Sequence, residues 1–174
     1  MARYPEIYAG TRLTASLMSK MIPQFVTKPS HTERSNTTTV TDDPHLQITL
    51  SPGRYFVEMF LLLGGSLAGD IKTAWTSPAG VSGLKSVIGP STTANNANAD
   101  QITARMGVHN LTTEILYSGV RDGTALLFGA YEYAVLTVTV TATIALQWAQ
   151  GTSTATASRV ASGSVMRVTQ IGDV

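Results

Sequence analysis

Residues 136–149, LTVTVTATIALQWA, decide the fold class. Leu136, Val138 and Val140 alternate with Thr137, Thr139 and Thr141, and then Ile144, Leu146 and Trp148 alternate with Ala145, Gln147 and Ala149. Successive side chains of an extended strand point to opposite faces, so a period of two sends one apolar row inward and one small or hydroxylated row outward. The stretch predicts two β-strands, and their adjacency in the chain predicts a hairpin.

Moving outward, the same period governs everything after Pro23. Leu46, Ile48 and Leu50 share a face while Gln47 and Thr49 point away, and Ser51-Pro52-Gly53 ends that strand; Asp42-Asp43-Pro44 reads as the turn that enters it. Arg54 to Leu63 is a longer strand with two apolar faces, Tyr55, Val57, Met59 and Leu61 on one and Phe56, Phe60 and Leu62 on the other. A half-wet strand does not read this way, so it should be central, with its second face against a helix, a second layer or another subunit, or covered within its own chain.

Gly64 to Gly69 reads as a turn and Asp70 to Thr76 as the returning strand; the likeness of this turn to a G-x-S-x-G nucleophile elbow fails at Ala68 and lacks a following helix. Gly89 to Gln101 has almost no apolar content and reads as a surface loop. Thr37 to Val40 is an edge strand or a connection, Ile102 to His109, Leu111 to Tyr117 and Val165 to Ile171 are strands, and Gly151 to Ser158 is a turn or short edge. Many short strands between Gly, Pro and Asn turns predict an all-β chain, an antiparallel β-sandwich or jelly roll spanning 24–174.

Residues 1–23 read differently. Tyr4, Pro5, Ile7 and Tyr8 form an extended apolar lead that Gly10 and Thr11 interrupt, after which Leu13, Leu17, Met18, Met21 and Ile22 recur at helical spacing. Thr11 or Thr14 can cap a helix of about three turns that Pro23 stops. So short a helix is marginal alone in water, so its stripe needs cover from the body, a sister subunit or a larger assembly. The segment is expected to be an anchoring arm, the plainer alternative being a helix that plugs one end of its own domain.

Composition narrows the function. The chain has 174 residues, 43% hydrophobic, enough for one domain with a proper core. Charged residues make up 13%, against a usual value of about 25%, and net charge is +1 with no Lys/Arg cluster, so the footprint of a nucleic-acid binder is missing. With no Cys there is no disulfide, thiolate metal site or thiol nucleophile. The longest apolar run, Met59 to Leu63, is too short to span a bilayer, and the start lacks the pattern of a signal peptide. His31, His45 and His109 show no metal-ligand spacing, and Asp42-Asp43 alone offers too few oxygens for calcium. No Gly-rich loop precedes a helix, and Glu58, Asp70, Glu114, Asp122 and Glu132 form no recognisable catalytic pair. The expectation is a non-enzymatic protein without metal, cofactor, membrane or nucleic-acid partner, an enzyme being the alternative.

Six segments, MARYPEIYAGTRLTA (1–15), DDPHL (42–46), KTAW (72–75), GVHN (107–110), LQWAQ (146–150) and Gly163-Ser164, resemble a family of virion proteins encoded by tailed phages of actinobacteria, whose members are often labelled minor tail proteins. More loosely, Gly53 to Val57 and Ala161 to Val165 resemble the Gly-x-Tyr and terminal strands of C1q/TNF-like jelly rolls, which form trimers with apolar contact strands. These resemblances imply a trimeric knob on the virion surface, a capsid decoration or minor tail protein held to the major capsid protein or tail proteins by its arm. They also imply a trimer contact at Tyr55, Val57, Met59 and Leu61. A carbohydrate-binding module that recognises host-surface glycan, with Tyr117 or Tyr131 in contact, is the alternative from another class.

Overall fold

The computed structural model describes residues 5, 7–66, 68–91, 104–118 and 127–174. In chain order the elements are α1 (Ala15–Met21), β1 (Gln24–Thr27), β2 (Thr32–Arg34), β3 (Thr41–Leu50), β4 (Gly53–Gly64), β5 (Ile71–Trp75), β6 (Val81–Pro90), β7 (Ala104–Asn110), β8 (Ile115–Tyr117), β9 (Leu127–Val138), β10 (Ala142–Ala149), β11 (Ser158–Val160) and β12 (Val165–Gly172). They form two antiparallel sheets packed as a sandwich. The large sheet runs β1-β12-β4-β9-β6-β7, with β11 beside β4 and β2 beside β11; the small sheet runs β3-β10-β5-β8.

β3, β4, β5, β7, β10 and β12 stand where alternation predicts them, while β1, β6 and most of β9 fall on stretches the sequence reading leaves unassigned, Thr37 to Val40 is a connection, and three further features differ from it. β9 and β10 are not a hairpin: β9 pairs with β4 and β6 in the large sheet, while β10 pairs with β3 and β5 in the small one. The chain turns a corner at Thr139, whose amide donates to the Gly80 carbonyl at 2.8 Å. Leu136 and Val138 then enter the core from one side and Ile144, Leu146 and Trp148 from the other. Likewise β5 does not return along β4; the residues after Gly64 carry it to the small sheet, where it pairs with β10 and β8. Asp42-Asp43-Pro44 is not a turn but lies inside β3, with Asp43 fully buried.

β4 is central, with β9 along one edge and β12 and β11 along the other. Its Tyr55, Val57, Met59 and Leu61 side chains fill the core of the single chain. This corrects their assignment to a subunit contact, because the small sheet already covers them. Burying side chains of this size is worth about 1.5–3 kcal/mol each, which is why that face turns inward.

Two ends of the sandwich can be distinguished. Gly53, Val81, Val138 and Gly172 lie together at one end, as the register Gly53↔Val138↔Val81 and Arg54↔Gly172 requires. Helix α1 sits there through the ion pair Lys20 Nζ–Asp173 Oδ1, 3.0 Å. Gly64, Leu127, Pro90 and Ala104 mark the opposite end. The loop expected at 89–101 falls outside the described residues from 92 onward, its first two residues closing β6.

Candidate functional site

The outward face of the large sheet is built by register. Across β12, β4, β9, β6 and β7 one row reads Val165, Phe60, Tyr131, Ile88, Met106. The next, beginning on β1, reads Phe25, Arg167, Glu58, Tyr133, Ser86, Val108. A third reads Thr169, Phe56, Val135, Leu84, Asn110. Met106 and Val108 are 68% and 67% exposed and Phe60 is 47% exposed. Strand residues that point away from a sandwich core are usually polar, and here the position is reversed over most of five strands.

Charge on this face is internally compensated. Glu58 pairs with Arg167 and accepts a hydrogen bond from the Tyr131 hydroxyl. That bond to a carboxylate, with burial adding to it, raises the Tyr131 pKa above that of a free phenol. Tyr133 stands between Tyr131, with ring centroids 5.7 Å apart, and Phe56 at 6.3 Å, both tilted, a packing that aromatic rings favour. The relief is shallow, with dips beside Phe60 and Tyr131 and beside Phe56 and Tyr133.

The arm is the second exposed apolar element. Thr14 caps α1, its hydroxyl accepting from the Leu17 amide at 3.2 Å, and the helix closes at Ile22 before Pro23. The helix is shorter than its spacing predicts: it has seven residues, and Leu13 precedes it. No residue of α1 is buried. Ile7, Tyr8, Leu13, Met18 and Met21 are exposed, Leu17 and Pro5 are half-buried, and Tyr4 lies outside the described residues. A cleft lined by Ser16, Ser19, Lys20, Gln24 and Gln170 lies between α1 and the body.

Two buried charge clusters hold the layers together. Lys28 Nζ lies 2.7 Å from Asp43 Oδ2 and 2.6 Å from Thr32 Oγ1, both partners of the ion pair having no accessible side-chain surface. Asp43 also accepts from the amides of His45 and Leu46 and from Trp148 Nε1 at 3.1 Å, while Arg34 lies 4.1 Å over the Trp148 ring. Burial alone would raise the Asp43 pKa; the bonds from Lys28 and the two amides more than offset it, and the net shift is downward. Burial lowers the Lys28 pKa, with Asp43 opposing. In the second cluster, Glu132 on β9 accepts from Trp75 Nε1 at 2.6 Å, Tyr117 Oη at 2.9 Å and Thr73 Oγ1, all on the small sheet. Lys85 Nζ lies 3.7 Å from it. Burial lowers the Lys85 pKa, while burial and then Glu132 raise that of Tyr117 far above normal. Tyr117 packs so closely on β6 that a Cβ at Gly89 would come within 2.5 Å of its ring.

Of the residues named from sequence, the structure gathers Tyr55, Val57, Met59 and Leu61 in the core and leaves the arm residues outside. Tyr117, named for glycan contact, is buried; Tyr131 is on the open face. Sequence reading passed over Leu84, Ile88, Met106, Val108 and Val135, although Met106 and Val108 alternate with Arg105, Gly107 and His109 as an outward apolar row should. Among the described residues no group of three or more His, Asp or Glu side chains is placed to hold a metal, and no helix is long and apolar enough to cross a membrane.

No protein-family model matches the chain, and no curated protein matches it. Among solved structures it is similar to the tripod from the baseplate of bacteriophage Tuc2009, with a TM-score of 0.38 and 9% identity over 98% of this chain and 76% of that one.

Proposed function

We propose that this chain is a non-enzymatic structural protein of a phage particle, a trimeric surface knob held by residues 1–23 to the major capsid protein or to tail proteins. It serves there as a capsid decoration and stabilising protein or as a minor tail protein. The observation that carries this reading is the arm: a capped helix in which no residue is buried, preceded by exposed Ile7, Tyr8 and Leu13. Two turns of helix gain little stability in water unless their apolar stripe meets a partner. The neutral, weakly charged composition and the phage-like segments of the sequence support the same reading. Because no residue of α1 is buried, deleting residues 1–23 should leave the thermal unfolding of the body unchanged while abolishing incorporation into particles. A deleted chain that no longer folds, or that still incorporates, contradicts the reading.

The cluster of Phe56, Tyr131 and Tyr133 favours a second reading, a module that stacks host-surface glycan on its aromatic face. Affinity for purified cell-wall glycan that falls at least tenfold in Tyr131→Ala supports it; a wild-type protein with no measurable glycan affinity removes it.

A further inference from the structure

We infer that the outward face of the large sheet is the contact between copies of this chain, and that the copies are arranged about an axis parallel to the strands, so that all their arms leave from one end. The inference deepens the trimeric part of the reading above and rests on that part alone; attachment to a particle is tested separately by the arm deletion.

Area is the first argument. β12, β4, β9, β6 and β7 are eight, twelve, twelve, ten and seven residues long. About half of their residues, roughly two dozen, point outward, and at a strand spacing of about 4.8 Å and a rise of about 3.3 Å per residue they pave roughly 800 Å². That is about one partner's share of a standard interface, which engages about 20–30 residues a side. Monomeric proteins rarely leave an apolar patch of more than a few hundred Å² in water.

Charge is the second. A face that meets its own copy must not repel it. The two charges in the middle of this one, Glu58 and Arg167, neutralise each other within the same subunit, so the centre of the surface offered to a second copy is apolar and neutral, with Arg54 exposed at its α1 end. A nucleic acid or an acidic partner would find only Arg54 beyond that pair, far from the basic cluster such partners require.

Geometry sets the axis. The open face runs the length of the strands, about 40 Å for the twelve residues of β4, with α1 at one end. Rotation about an axis parallel to the strands brings open faces together and keeps every arm at the same end, where one underlying surface can take them all. A two-fold axis in the plane of the contact but perpendicular to the strands would also bring the faces together, and would send the arms to opposite ends. Closed cyclic symmetry is also what keeps such a face from propagating into fibres.

Three measurements on the full-length chain decide it. Light scattering after size exclusion at roughly 1–100 µM, at or above the µM-to-pM dissociation constants of interfaces of this size, should give a closed oligomer. A monomer throughout that range overturns the inference. Val108→Asp and, independently, Phe60→Asp should each yield a folded monomer with unchanged circular dichroism; an intact oligomer in both moves the contact elsewhere. The chain has no Cys, so a single Ser19→Cys carries one spin label per subunit. Label separations well below 40 Å are expected, and separations at or beyond the strand length overturn the choice of axis.

Discussion

The two faces of β4 are offset by a single residue in sequence and differ in what covers them. Tyr55, Val57, Met59 and Leu61 meet the small sheet and lose their water; Phe56, Glu58, Phe60 and Leu62 face outward, where none of the described residues forms a second layer over them. Both rows are predominantly apolar. Hydrophobicity alone therefore does not mark the interior of this protein; a third layer would be needed to complete the sheet, and the described residues do not supply one.

Charge insertion separates the faces most strongly. Val57→Asp places an unpaired carboxylate in a dry core, where the cost of several kcal/mol consumes much of a stability of about 5–15 kcal/mol. The variant should be insoluble or unfolded by circular dichroism. Phe60→Asp, three residues away on the other face, should alter the unfolding free energy of the monomer by no more than about 0.5 kcal/mol, as exposed substitutions do. Equal destabilisation at both positions would erase the distinction.

The next largest effect belongs to the buried pair at the edge of the sandwich. Asp43→Asn keeps the volume but leaves Lys28 without its counter-charge, a loss of about 3–5 kcal/mol in chemical denaturation. It should also change the acid limb of stability. The folded Asp43 pKa lies below its ordinary 3.8, so its contribution is complete above pH 3.8 and is lost as pH falls through the folded value. The wild type should lose stability across that window and the Asn variant should lose less of it; parallel curves would show that Asp43 does not set the limb.

A smaller, local effect is expected in the arm. Thr14→Ala removes the cap of α1 and costs about 1 kcal/mol of helix stability. Amide exchange in 15–21 should accelerate while the melting of the sandwich stays put; a shift in the global transition would mean that the helix is part of the core after all.

Why some of this was legible in the sequence and some was not follows from the same contrast. Alternation located the strands with one clearly apolar row, because such a strand needs only local order, and 136–149 shows it plainly; β6, whose Val81 to Pro90 mixes Ser, Gly and Lys with its apolar residues, gave no such signal. It could not say which sheet a strand joins: β9 and β10 look like a hairpin, yet Leu136 and Trp148 reach the same core from opposite layers. On β4 both rows are apolar, so nothing local told the inner row from the outer, and the inner one was nominated for the contact. The outward row of β7 was written in the alternation of Met106 and Val108 but needed β6 beside it to become a surface. Asp43, Lys85 and Glu132 look like surface charges until folding brings Lys28, Trp148, Trp75 and Tyr117 to them, contacts separated by 15 to 105 residues in the chain. The helix of residues 15–21 and its Thr14 cap were legible because spacing and cap are local, although the helix is shorter than its apolar spacing suggests.

Methionine oxidation reads the cover over the open face, since methionines sit in the core, on that face and on the arm. Met59 and Met166 lie in the core, Met106 on the open face, and Met18 and Met21 on the arm. Timed peroxide oxidation read by peptide mass spectrometry should find Met59 and Met166 protected throughout and Met18 and Met21 oxidised rapidly. Met106 should be slow in the wild-type assembly and as fast as the arm in Val108→Asp. Met106 oxidising at the arm's rate in the wild-type protein would contradict the account, because the face that this sequence leaves apolar would then have no partner.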